Sequence, residues 1–122
     1  MSAMTSAIEG STFQRWGTGI VLGAVNGHPC RMYDTRPRSL FELLIDAQRW
    51  TDRTMLVQGD RRLSGAQHVA AVARAARLLR AHGARSGDRI MLLGFNHLEW
   101  LVSFWAIQCI GATAVFGNRW WS

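Results

Sequence analysis

The sequence predicts a mixed α/β fold. Three local patterns carry that prediction: an Asn-Gly dipeptide between two apolar runs, two Ser-initiated helix starts, and a strand–helix–strand alternation over residues 90–116. A length of 122 residues suits one domain or part of a larger one. With 48% hydrophobic and 18% charged residues the chain is too apolar for disorder. Its 12 Gly and 2 Pro exclude collagen and a proline-rich linker.

In chain order, residues 1–12 are small and polar and are expected to fray. Residues 1–37 read as a leader with a β-hairpin, and residues 38–122 as the main body. Ile20, Val21 and Leu22 lead to Asn26-Gly27-His28-Pro29 and then to residues 30–33. Asn-Gly accepts the positive φ of a tight turn, so the hairpin centres there. The first helix starts at Ser39, which forms a Ser-x-x-Glu capping box with Glu42. Leu40, Leu43, Leu44, Ala47 and Trp50 recur at helical spacing. Residues 54–58 and 61–63 read as short strands about a Gly59-Asp60 turn. The second helix starts at Ser64, with Gln67 in the reciprocal capping position. Val69, Val72, Ala76 and Leu79 make its buried stripe. Gly83 stops it, with His82 in the last turn.

Ser86-Gly87-Asp88 is a turn. Residues 90–94 form a short, continuously apolar run, the pattern of a strand buried on both faces. Asn96 is expected to cap the third helix, with Glu99 three residues on. Leu98, Val102, Trp105 and Cys109 share one stripe, Gly111 ends the helix, and residues 113–116 form a strand. A helical crossover between two strands implies a parallel pair of right-handed connection.

The chemistry-bearing residues exclude more than they assign. All 14 basic residues are Arg, and the formal charge is +6. Without Lys these residues hold neither a Schiff-base amine nor a phosphate loop ending in Lys-Ser/Thr. His28-x-Cys30 is the only close pair of metal ligands, short of the three or four that zinc needs, so no metal is expected. Cys109 reads as a small hydrophobe. Two cysteines make no disulfide framework, which points to a reducing, cytoplasmic setting. Glu42 and Glu99 have capping explanations, and Asp60 and Asp88 turn explanations. Gly83 and Gly87 precede a strand, whereas a dinucleotide fingerprint follows one. Asn96 could hold an anion weakly at a helix start, but a plain cap is the simpler role. Arg74, Arg77, Arg80 and Arg85 could meet phosphates. No nucleic-acid motif accompanies them, so they read as a solvated face.

Residues 1–10 carry Glu9 and no positive charge, unlike an export signal. Residues 100–116 are 17 uncharged positions, at the lower limit for spanning a bilayer. Gly111 splits them into a helical and a strand half, so no transmembrane segment is expected. Trp120-Trp121 leave two large aromatics with little downstream chain to cover them, which suggests part of a larger protein.

The segments RPRSLFELLIDAQRW, TMLVQGDRRLS and LLRAHGARSGDRIMLLGFNHLEWLVSFWAIQCIGATAVFGNRWW resemble, in order and spacing, the start of the large N-terminal domain of AMP-forming acyl-CoA synthetases. These belong to the adenylate-forming superfamily, and the nearest likeness is to fatty-acid–CoA ligases. GNRWW is similar to the Asn-x-Trp-Trp version of some fatty-acyl ligases, and residues 17–33 resemble the leader of that branch. The resemblance implies the N-terminal part of the AMP-dependent synthetase/ligase fold. It implies a two-step reaction in the full enzyme: a fatty acid and ATP give an acyl-adenylate and pyrophosphate with magnesium present, and coenzyme A then displaces AMP. The family's phosphate-binding motif with its Lys, its adenine motif, its ribose-binding Asp, its hinge and its C-terminal domain are not among these residues. No catalytic or cofactor-binding residue is therefore assigned, and the isolated chain is expected to be inactive. The resemblance places Asn118, Arg119 and Trp120 in a loop on the acyl-binding side. Two other classes stand beside this one. One is a noncatalytic interaction protein that self-associates or docks through an open sheet edge. The other is an Arg-driven nucleic-acid binder.

Overall fold

The computed structural model describes residue 17, residues 19–118 and residue 120. The chain divides into two units, Met1–Arg38 and Ser39–Ser122. The expectation of fraying over residues 1–12 lies outside the described residues.

In the first unit, β1 (Ile20–Val25) and β2 (His28–Tyr33) pair antiparallel, from Ile20 opposite Tyr33 to Val25 opposite His28. Two residues join them. Asn26 has φ 49° and Gly27 φ 80°. A left-handed backbone at both central positions is the turn whose twist matches the strands, and Asn-Gly is the pair that tolerates it.

The second unit opens with α1 (Leu40–Asp46). The Ser39 hydroxyl accepts the Glu42 N–H at 3.1 Å, as the spacing predicts. The helix is shorter than the apolar spacing suggests, because Ala47–Trp50 tightens into a 3₁₀ turn. Trp50 therefore leaves the helical stripe, and the Arg49 guanidinium covers its ring at 4.2 Å. Then β3 (Thr54–Gln58) and β4 (Arg61–Ser64) form an antiparallel pair with an irregularity between Thr54 and Leu56.

Next comes α2 (Gly65–Ala81), which carries the complete capping box. The Ser64 hydroxyl accepts the Gln67 N–H, and the Gln67 side chain accepts the Ser64 N–H at 2.8 Å. Its first residue must be Gly, because a Cβ on Gly65 would lie 2.7 Å from the Trp50 carbonyl oxygen. That close approach lets the Gly65 and Ala66 N–H groups donate to the Arg53 and Thr51 carbonyls. The helix ends at Gly83, with φ 93°.

The predicted strand–helix–strand unit is present. β5 (Arg89–Leu93) and β6 (Thr113–Gly117) are parallel, with Ile90 opposite Ala114 and Leu93 opposite Gly117. α3 (Leu98–Cys109) connects them. The turns at the amino ends are tied together: the Thr113 N–H donates to the Asp88 carbonyl at 2.8 Å, and Gly87 to Gly111 at 2.9 Å.

The core forms where α3 lies against α2 and against the strands. Leu44, Val72 and Ala106 make one buried cluster, with Val102, Trp105 and Cys109 packed on it. Ile107, Ile110 and Ala112 make the second, against Ile90, Leu92 and Ala114. The anticipated α3 stripe packs on the core. The deepest α3 residues besides Leu98 are nevertheless Ala106 and Ile107, because α3 is apolar almost all round and is covered on two sides.

Two sequence expectations are corrected. β5 is not buried on both faces. Ile90 and Leu92 face α3, while Met91 is 63% exposed and Leu93 also points into the open. Helices cover both faces of a parallel sheet in larger folds, and here α3 covers one. The α3 cap is His97, not Asn96. The chain runs one residue further in extended form, and His97 (φ −104°, ψ 164°) makes no side-chain cap bond.

Ile107 is 1% exposed. Ile107→Ala should lower stability by about 2–5 kcal/mol, the transfer loss plus the cavity left behind. A urea titration followed by Trp fluorescence reads the shift in midpoint.

Candidate functional site

In open α/β sheets, ligands bind outside the carboxyl ends of parallel strands. Here that edge follows Leu93 and Gly117. After β5 come Gly94, Phe95 and Asn96. After β6 come Asn118 and Trp120, and Arg119, the third residue of the predicted loop, lies outside the described residues. The Asn118 side chain accepts the Trp120 N–H at 2.9 Å, an Asx-type contact. The Trp120 ring is 76% exposed.

Beside this edge stands a cluster of rings. Phe116 faces the helix side of β6, with its centroid 5.2 Å from Trp100 and 5.8 Å from Phe104. Trp100 and Phe104, one helical turn apart, stack at 6.2 Å, and Trp105 meets Phe104 edge-on at 5.3 Å. Sequence spacing places Trp100 and Trp105 as helix packing. It does not bring Phe116 to them; the parallel register does.

A polar strap fixes the start of α3. The Gln58 Oε1 at the end of β3 accepts the Leu98 N–H at 3.2 Å, so a residue forty positions away does the work predicted for Asn96. Arg61 on β4 pairs with Glu99 in the first turn of α3. The Arg61 hydrogen bond holds the Glu99 carboxyl below its ordinary range. Neither Gln58 nor Arg61 is legible as a partner of α3 in the sequence, where Glu99 reads as a capping residue.

Two groups sit in the interior. His68 on α2 is 3% exposed, and its Nε2 has no hydrogen-bond partner. Burial pushes its pKa below 6.5. Burial raises the Cys109 thiol, which keeps it protonated and inert.

No group of three His, Cys, Asp or Glu among the described residues could hold a metal ion. The N-terminus of α2 is filled by its capping box, and the Leu98 N–H of α3 by Gln58. Gly94, the only glycine in the β5–α3 connection, is backed by the Trp100 ring, 3.4 Å from where a Cβ would stand. Among the described residues no helix is long and apolar enough to cross a membrane.

Parallel strands joined by a helix, with a loop and aromatic rings at their carboxyl edge, define a strand–helix–strand piece of an α/β domain. The model of the AMP-binding enzyme family matches residues 44–121, and the chain belongs to that family. No curated protein matches the chain. Solved structures do. The N-terminal domain of FACL13 from Mycobacterium tuberculosis is 29% identical with a TM-score of 0.66, over 69% of this chain and 22% of that one. The O-succinylbenzoate coenzyme A synthetase MenE from Bacillus subtilis, solved with AMP, is 31% identical with a TM-score of 0.60, over 65% and 21%. The anthranilate CoA ligase AuaEII, solved with anthranoyl-AMP, is 26% identical with a TM-score of 0.65, over 69% and 16%. This chain thus spans 16–22% of the length of these three solved chains.

Two predictions follow from the interior contacts. Gln58→Ala removes the acceptor at the start of α3, should cost about 0.5–2 kcal/mol by analogy with a lost cap, and should speed exchange of the Leu98 amide. Native-state hydrogen exchange checks both. His68 is held neutral in the folded chain, whereas the unfolded chain takes up its proton at the ordinary pKa. Stability should therefore fall as pH drops below about 6.5, and His68→Leu should flatten that dependence in melts from pH 7 to 5.

Proposed function

We propose that these residues are the opening part of the large domain of an ATP-dependent acid–thiol ligase, and that the acid is a fatty acid. In the whole protein a carboxylate oxygen attacks the α-phosphorus of ATP, pyrophosphate leaves, and the thiolate of coenzyme A displaces AMP to give a thioester. ATP, magnesium and coenzyme A belong to that whole protein. The observation that carries the reading is the parallel β5–β6 pair under α3, inside the span matched by the family, in a chain 26–31% identical to solved structures over 65–69% of its length.

The finer assignments rest on less. The fatty-acid reading is supported by the likeness of GNRWW to fatty-acyl ligases and by the rings of Trp100, Phe104, Phe116 and Trp120 beside the loop. On this reading Asn118, Arg119 and Trp120 lie on the acyl side. Two of the solved relatives are named for aryl acids, anthranilate and O-succinylbenzoate, so an acid panel must hold both classes. The free thiols of Cys30 and Cys109 support a reducing, cytoplasmic setting. The 122 residues hold no Lys, and on this reading they do not adenylate alone.

The test has two arms. The purified chain with ATP, magnesium, coenzyme A and the acid panel should release no pyrophosphate above buffer, and release would overturn the inactivity. Residues 44–121, exchanged for the matching segment of the Bacillus subtilis O-succinylbenzoate coenzyme A synthetase, should retain acid-dependent pyrophosphate exchange. A folded hybrid without exchange would sink the assignment.

A further inference from the structure

The hairpin of β1 and β2 has two long edges, and they are not alike. The Asp34 N–H donates to the Gly19 carbonyl at 3.1 Å, so these two form a hydrogen-bonded pair. Antiparallel alternation then puts Val21–Met32, Gly23–Cys30 and Val25–His28 in hydrogen-bonded pairs. It turns the main-chain groups of Ile20, Leu22 and Ala24 outward on β1, and those of Pro29, Arg31 and Tyr33 outward on β2. The β2 edge is obstructed. Pro29 has no N–H, Arg31 places a charge, and the Tyr33 carbonyl accepts the Arg36 Nη1 at 2.8 Å. The β1 edge, IVLGAV, has neither charge nor proline. Leu22 is 86% exposed and Ile20 57%.

We propose that the β1 edge is an interface between two copies of this chain, paired antiparallel about a two-fold axis at Leu22. That register sets Leu22 opposite its own copy and Ile20 opposite Ala24. It is one of the registers that match the outward donors and acceptors of one edge with those of the other, and it is the one that sets the most exposed side chain opposite its own copy. The sequence is self-complementary there: small Ala24 receives large Ile20, and the most exposed side chain of the strand gains an apolar neighbour. Pairing turns a two-stranded hairpin, marginal by itself, into a four-stranded sheet. The obstructed β2 edges end that sheet, so association closes at two copies. This interface goes beyond the ligase reading and does not depend on it.

Sedimentation velocity of the full 122-residue chain over a concentration series tests it. The expected result is a reversible monomer–dimer equilibrium. Leu22→Lys brings two like charges face to face, and Ala24→Pro removes an outward N–H without touching the hairpin's own ladder. Both variants should be monomeric, while Arg31→Glu on the other edge should leave the dimer intact. Hydrogen exchange on the unaltered chain gives a second readout that needs no variant to fold: the Leu22 and Ala24 amides should be protected in the dimer and lose protection on dilution. A monomer at every concentration, whether the edge is open or filled from within the chain, overturns the proposal. So does association that survives both β1 substitutions, or exchange at Leu22 and Ala24 that does not respond to dilution.

Discussion

The second unit depends on one geometric requirement: two parallel strands cannot be joined by a tight turn. The chain leaving Leu93 must travel back to Thr113, and α3 is that return path. A helix in that place is pressed on one side by the strands and on the other by α2. It is therefore apolar nearly all round, and Ala106 and Ile107 go to the interior. The remaining contacts of the unit serve to set this helix at the right height and angle. Ala106 is small enough for Leu44 and Val72 to reach it, and Ile107 and Ile110 fill the layer above Ile90, Leu92 and Ala114.

Burial against the strands does not fix where α3 begins, and the Gln58 strap does. A free helix start exposes N–H groups that need acceptors. The Gln58 side chain supplies one from the neighbouring hairpin, and Arg61 places a positive charge beside Glu99. The β3–β4 hairpin thereby acts as a support for the segment between β5 and α3. That segment lies at the carboxyl edge of the sheet, where ligands of such folds bind. The ligase reading and the strap are linked in this way: the loop geometry at that edge depends on a hydrogen bond from outside the strand–helix–strand unit.

The apolar surfaces left open differ in kind. Met91, Leu93 and Val115 form the uncovered face of a parallel pair. Among the described residues nothing pairs with the β1 edge in the plane of its sheet. Its outward hydrogen-bonding groups make it directional, as a flat apolar face is not.

The sequence by itself determined the elements whose causes are local. The Asn26-Gly27 turn, the Ser39 and Ser64 helix starts and the stop at Gly83 follow from backbone preferences or hydrogen bonds within a few residues, and the parallel crossover over residues 90–116 follows from the order of strand, helix and strand. The family resemblance was legible for the same reason, since it resides in the order of these segments. Tertiary structure decided the rest. The α3 cap moved from Asn96 to His97 because Gln58, distant in sequence, offers the acceptor. Trp50 left its helix because the chain there tightens into a 3₁₀ turn, close under Gly65. Phe116 joined Trp100 and Phe104 only through the strand register. One face of β5 stayed open because a run of apolar residues states that a strand wants covering on both sides, while what covers it depends on which chain segments are present to pack there.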